Sequence, residues 1–324
     1  MSRLHVIQPS RHATRLWATA RWSAIVGVLA LLVAMLRWPQ QALLVLWYIV
    51  IPLLPATFFV TTAIWRGICP LATLNEWGNR LGRPRELPPE VIARLRVAGL
   101  ALFFVLVPAR HIFFNQDGPV LAAVIVAVGA LAVLFGARFP VRSAWCNALC
   151  PVLPVELLYG QAPLTRVERG RCTSCDVCTP RGCMDLAGEK TILQVLGPSR
   201  RTGAWLATPH GLFFAALPGF VVGYNQVRDG ALASAPAVYG TVLEWSLASV
   251  VVTVVLVLAF RISSRLALPF LAAIAGGVYY WFAGPAVAEH LKLGQGVALT
   301  IQATGLGLIL WWMKTLFSRR SVAA

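Results

Sequence analysis

Seven cysteines are the residues of this 324-residue chain whose type and spacing could do chemistry. Four form a run, Cys172-Thr173-Ser174-Cys175-Asp176-Val177-Cys178-Thr179-Pro180-Arg181-Gly182-Cys183. C-x2-C-x2-C lets three thiolates wrap three corners of a cubane, and a fourth Cys completes the set. Zinc more often takes two separated C-x2-C pairs, because a tetrahedral ion does not readily accommodate three consecutive close ligands. The spacing therefore predicts a [4Fe–4S] cluster on Cys172, Cys175, Cys178 and Cys183, with structural zinc as the alternative. The bacterial ferredoxin run ends in x3-C-P; here the last gap is four residues and Met184 follows Cys183. Cys183 either closes this cluster or reaches a second site.

That second site is a set of three, Cys69, Cys146 and Cys150. Two of them precede proline, in Trp65-Arg66-Gly67-Ile68-Cys69-Pro70 and Cys146-Asn147-Ala148-Leu149-Cys150-Pro151. Aligning the two Cys-Pro steps sets Trp65 opposite Cys146 and Cys69 opposite Cys150. Each step follows two apolar stretches and precedes an amphipathic one, Leu71–Trp77 and Val152–Tyr159. This is an internal repeat: a duplicated hairpin that would bring both Cys-Pro ends together about a pseudo-twofold axis. Proline after the Cys stops the helix and leaves backbone free to wrap a bound group. Three convergent thiolates suit a three-iron cluster, or a cubane with one open corner or one ligand from elsewhere, such as Cys183. The plainer alternative is that they are small buried hydrophobes at helix ends.

The elements that carry these cysteines are membrane helices. Apolar residues make up 58% of the chain and charged residues only 12%, with mean hydropathy +0.72. A soluble domain carries about twice that charge, and a disordered chain far fewer apolar residues. Eight stretches approach the ~20 apolar residues that a span requires. They are Trp22–Leu36, Ala42–Trp65, Val97–Phe114, Pro119–Ala137, Gly211–Val227, Val238–Phe260, Leu266–Val287 and Val297–Phe317. The first is short enough for a signal peptide, but Arg37-Trp38-Pro39 offers no small-x-small cleavage site, so it reads as a retained helix.

Charge sets the orientation. Of 28 Lys and Arg, only Arg37, Arg110, Arg228 and Lys292 fall in the turns that are external when the N-terminus is inside. The positive-inside rule then makes both termini cytoplasmic, and the net charge of +16 lies on that face. Topology signalling and anionic lipid account for it, so nucleic-acid binding is not expected. All seven cysteines fall on the same face, where thiols stay reduced and clustered Cys mean metal or redox work. The predicted fold is an all-α polytopic membrane protein of about eight transmembrane helices. A cytoplasmic N-terminal segment (1–21) precedes a four-helix core with the duplicated Cys-Pro step (22–160). A small cytoplasmic ferredoxin-like iron–sulfur segment (161–209) separates helices four and five, and a second four-helix module (210–324) follows.

Residues 42–186 resemble the membrane-bound polyferredoxin family with paired C-x3-C-P motifs. That group includes the quinol-oxidising ferredoxin-type subunit of periplasmic nitrate reductase systems, the methylamine-utilisation membrane ferredoxin and the membrane core of the nitrous-oxide-reduction regulator. The resemblance rests on Trp145-Cys146-Asn147-Ala148-Leu149-Cys150-Pro151, its partial copy at Cys69-Pro70 and the run beginning at Cys172. It implies iron–sulfur electron transfer in the bacterial cytoplasmic (inner) membrane. Three departures are visible: Trp65 replaces the family's first Cys, only one ferredoxin-like run is present, and four C-terminal helices are added.

One-electron relay is the expected activity, with Cys172–Cys183 as the outer station and Cys69, Cys146 and Cys150 as the inner one. A quinone or membrane oxidoreductase would lie on one side, and a soluble ferredoxin- or flavodoxin-like protein on the cytoplasmic side. The chain reads as an electron-transfer component more than a stand-alone enzyme. The alternatives are a redox-sensing or scaffold subunit, and a transporter or assembly factor with a structural zinc site. Quinone chemistry needs proton acceptors. Glu244 and His111, near the outer ends of spans six and three, have the right chemistry, but hydrated headgroups serve them equally and they lie on the face opposite every Cys. There is no C-x-x-C-H for covalent haem, and among His111, His210 and His290 only the first and last share a depth.

Overall fold

The computed structural model describes residues 11–140, 144–165, 188–197 and 203–323. Every regular element among them is helical. The run Cys172–Cys183 lies outside the described residues, and with it most of the 161–209 segment.

The helices are α1 (Arg11–Arg37), α2 (Pro39–Val60), α3 (Thr62–Ile68), α4 (Pro70–Leu81), α5 (Pro89–Phe114) and α6 (Gly118–Arg138). They continue with α7 (Leu153–Tyr159), α8 (Gly188–Leu196), α9 (Pro209–Gln226), α10 (Ala235–Ala259), α11 (Ser264–His290) and α12 (Gln295–Ala323). Proline opens α2, α4, α5 and α9, where its missing N–H costs nothing. Among the described residues seven helices are long and apolar enough to cross a membrane: α1, α2, α5, α6, α10, α11 and α12. The protein is a polytopic helical membrane protein.

One expected span departs from the pattern. The stretch Gly211–Val227 forms α9, but α9 is not among the seven. Its sequence is diluted by His210, three glycines, Pro218 and Asn225. The reason is its position. Residues Phe213 to Val221 are all buried, and α9 packs against α10, α11 and α5. A helix enclosed by other helices has no need of a lipid-facing surface. The first span is longer than Trp22–Leu36 suggests, with the apolar helix covering Thr14–Arg37.

The two expected membrane modules share one core. Phe58 and Phe59 of α2 and Leu100 and Phe103 of α5 belong to the same buried cluster as Phe213, Phe214 and Phe220 of α9, Leu268 of α11 and Trp312 of α12. Rings of α5 and α9 interlock, with Phe103 5.0 Å from Phe213 and 4.8 Å from Phe220. The Phe59 ring lies 5.1 Å from Trp312, and Tyr280 donates to the Pro52 carbonyl at 3.1 Å.

Two features set the cysteines in place. The chain breaks between α2 and α3 at Thr61, whose backbone is extended and whose hydroxyl accepts from the Ala63 amide. That is a helix N-cap, and it turns α3 away from the span. The second feature is the packing of α4 on α6. Asn75 donates to the Ala132 carbonyl at 3.0 Å, and Asn79 to the carbonyls of Gly136 and Phe139 at 3.1 and 3.0 Å. Gly78 and Gly136 face the backbone carbonyls of Val133 and Asn75, so neither site has room for a Cβ. Side-chain amides thus satisfy carbonyls at a close helix crossing, where small residues admit the approach.

Candidate functional site

Cys69 ends α3 and precedes α4, while Cys150 ends a π-helical turn, Trp145–Leu149, that also carries Cys146. The two Cys-Pro steps adopt the same backbone conformation. Cys69 has φ −50° and ψ 122°, and Cys150 has φ −58° and ψ 120°. Proline forces this: its ring disfavours the helical region for the preceding residue. The preceding hydrogen bonds differ in register, an α-helical one before Cys69 and a π-helical one before Cys150. The Cys69 amide donates to the Trp65 carbonyl at 2.8 Å, and the Cys150 amide to the Trp145 carbonyl at 2.9 Å. The repeat read in the sequence is thus a repeat of backbone torsion at the two Cys-Pro steps.

The three thiols come within electrostatic reach of one another. Burial, then the neighbouring charge of Cys146, pushes the Cys69 thiol up to about 12. Burial, then Glu156 and the other two cysteines, pushes Cys150 well above the ordinary thiol range. Opposing this, the amides of Ala72 and Leu71 donate toward the Cys69 sulfur, and the Val152 amide toward Cys150. Those amides are free because they follow the Pro-initiated turn. None of the three cysteines is in a disulfide.

Charged and polar groups besides the cysteines bind the two repeats together. Arg66 and Glu156 are both buried, and Arg66 Nη1 donates to Glu156 Oε2 at 3.1 Å. Arg66 Nη2 donates to Asn147 Oδ1 at 2.6 Å. Arg96 Nε of α5 donates to the Asn147 carbonyl at 3.2 Å. In the alignment of the repeats Arg66 stands opposite Asn147. Arg66 and Asn147 are therefore aligned residues of the two repeats in direct contact. The signal in the sequence was a lone Arg and a lone Glu inside the apolar stretches Ile64–Ile68 and Val155–Leu158. Trp65, opposite Cys146, packs edge-on against Phe58 with centroids 6.4 Å apart.

Depth follows from α5. A Cβ on Gly99 would stand 2.9 Å from the carbonyl oxygens of Ala148 and Leu149. The Cys146–Cys150 turn thus lies against α5 at Arg96–Gly99, where its apolar run begins.

The ionisable candidates occupy other surroundings. Glu244 sits on the exposed face of α10. His111 is buried on a second π-helical turn, Arg110–Phe114, with Nδ1 2.6 Å from Asp229 Oδ1. Asn115 also donates to Asp229, at 2.8 Å. Burial alone raises the Asp229 carboxyl, but the hydrogen bonds of His111 and Asn115 hold it below the usual carboxylate range. Arg110 donates to Tyr224 and lies 4.4 Å above the Trp47 ring. His290 instead stacks on Tyr48 at 4.0 Å, so it and His111 have different ring partners. His210 is buried at the N-terminus of α9. This network ties α5 to the segment after α9 at the end of the bundle away from the cysteines.

Among the described residues no three His, Cys, Asp or Glu side chains converge tightly enough to hold a metal ion. No family model matches the chain, and no curated protein or solved structure matches it.

Proposed function

We propose that this chain is a membrane-bound iron–sulfur electron-transfer protein, relaying single electrons between a cytoplasmic-side redox partner and the quinone pool or a membrane oxidoreductase. One observation carries the reading: Cys69 and Cys150, from the two halves of a repeat, share one backbone conformation and lie, with Cys146, within electrostatic reach at one end of the bundle.

The donor set fits a thiolate-bound cluster. Zinc–thiolate bonds of about 2.3 Å bring ligand sulfurs within about 4 Å of each other. Thiolates on separate irons of a cluster stand farther apart. Buried thiols resist ionisation, and a bound cationic metal centre removes that penalty. Cys69, Cys146 and Cys150 would hold the inner group, and Cys172, Cys175, Cys178 and Cys183 the outer one. When bound, such a group supplies one-electron exchange with little atomic motion.

The chain's own residues do the rest. The Leu71, Ala72 and Val152 amides donate toward the sulfurs. Arg66 cancels the Glu156 carboxylate. Leu153, Leu157 and Leu158, buried in the shared core, keep water from the Cys150 side. The bias of Lys and Arg supports a cytoplasmic cysteine end in a bacterial inner membrane.

Anaerobic purification and counting of iron and acid-labile sulfide test the proposal. One cubane gives about four irons per chain, and two sites give about seven or eight. Iron-free protein with stoichiometric zinc overturns it. Cys175→Ser should also abolish electron flow through the membrane; unchanged flow with altered regulation would instead indicate a sensor.

A further inference from the structure

The two Cys-Pro turns belong to different halves of the repeat, so something has to fix their separation. Helix α3 is only seven residues long, and the Trp145–Leu149 turn rests on α5 rather than on α3. Arg66 is the side chain that spans the gap. It lies three residues before Cys69 and is 9% exposed. One guanidinium nitrogen bonds the Asn147 side chain, between Cys146 and Cys150, and the other bonds Glu156, six residues beyond Cys150. A planar fork with two fixed donor directions measures a distance in a way that a point charge cannot. Because Arg66 and Asn147 belong to the two halves of the repeat, the clamp joins one turn directly to the other.

Glu156 adds a second consequence. It is buried beside the thiol group, and its negative charge works against any further negative charge placed there. Arg66 is a cation at hydrogen-bonding distance from it. The pair thus carries a sign: loss of Glu156 favours added electrons at the thiol site, and loss of Arg66 opposes them.

We propose that Arg66 is the positioning residue of the inner thiol site, holding the Cys69 turn against the Cys146–Cys150 turn, and that with Glu156 it sets the charge felt there. The positioning claim stands on geometry alone; the redox claim rests on the cluster reading above.

The test uses the full chain in detergent, in wild type, Arg66→Lys, Arg66→Gln and Glu156→Gln. In metal-free protein, a short dimaleimide should join Cys69 to Cys150, scored by peptide mass spectrometry. The yield should fall several-fold in both Arg66 variants, because Lys keeps the charge but loses the fork. Yields equal to wild type in both overturn the positioning claim. In iron-loaded protein, redox titration should show Glu156→Gln shifting the inner-site potential upward and Arg66→Gln shifting it downward. A tenfold change in the one-electron equilibrium would read as about 59 mV. Simple loosening of structure moves both the same way, so shifts of one sign, or no shift, overturn the charge claim. If Arg66→Gln fails to fold by size exclusion, Arg66→Lys decides the first claim. The second is then decided by Glu156→Gln, whose shift must be upward. If wild type takes up no iron, the cluster reading fails, while the cross-linking result still decides the positioning claim.

Discussion

Gly99→Ala is the substitution that most directly probes how the thiol turn is seated. A Cβ at this position would stand 2.9 Å from the carbonyl oxygens of Ala148 and Leu149, and 3.2 Å from the Leu149 carbonyl carbon. Both neighbours are backbone, so no side chain can swing aside. Ordinary contact requires the turn and α5 to separate by roughly half an ångström, a distortion of the overpacking kind that costs about 1–3 kcal/mol. The same movement stretches the Arg96–Asn147 bond, already 3.2 Å, beyond hydrogen-bonding range. A charged hydrogen bond adds about 1.5–3 kcal/mol. The two effects share one displacement, so about 2–4 kcal/mol is the expected total. Gly307→Ala is the control, because no atom lies within 4 Å of its added Cβ. That change should be neutral, or stabilising by up to about 1 kcal/mol through helix propensity. Thermal unfolding in detergent measures both variants, and iron per chain measures the thiol turn. If Gly99→Ala melts with Gly307→Ala and retains full iron, the turn is not seated on α5 as described.

Three other changes follow from single contacts. Asn79→Ala leaves the carbonyls of Gly136 and Phe139 without their side-chain donor, and should lower stability by about 1–3 kcal/mol in the same melting assay. Thr61→Ala removes the cap of α3 and should cost about 0.5–2 kcal/mol, while Thr61→Ser retains the hydroxyl and most of the stability. Asp229 is held below the usual carboxylate range. Its ionised form therefore contributes stability above about pH 4, the unfolded carboxylate value, and loses it as pH falls through the folded value. Asp229→Asn should flatten the acid limb of a melting-temperature-against-pH curve below about pH 4 and leave the limb above pH 9 unchanged.

The spans were legible because lipid imposes a length and a composition on any helix that faces it. That rule is least informative at α9, which faces other helices and carries Pro218, glycines and Asn225 where a lipid-facing helix would be uniformly apolar. It also concealed the shared core, since apolarity looks the same whether Phe59 meets lipid or Trp312. The Cys-Pro repeat was legible because proline constrains the residue before it, and the matching torsions of Cys69 and Cys150 follow from that local rule. Arg66, Asn147 and Glu156 were harder to see. Their meaning lies in contacts over 81 and 90 residues of sequence, and no local pattern encodes a partner that far away. The alignment of the Cys-Pro steps sets Arg66 opposite Asn147, but alignment alone does not say that aligned residues touch.

The two Cys-Pro steps share their backbone torsions and differ in the chemistry around them. Trp65 faces the Cys146 position across the alignment, Arg66 faces Asn147, and Asn75 faces Glu156. On the first side, α4 uses Asn75 to satisfy a carbonyl of α6, a purely structural bond. On the second, the equivalent Glu156 is drawn inward to Arg66 and lies beside the thiols. A buried ion pair is costly to assemble and contributes little net stability compared with apolar residues of the same size. A repeat stabilised only by packing would have no reason to keep one between its two halves. The asymmetry is better explained by what the thiols require: a third sulfur from one half, a cation from the other, and a contact between the halves that keeps the two in register.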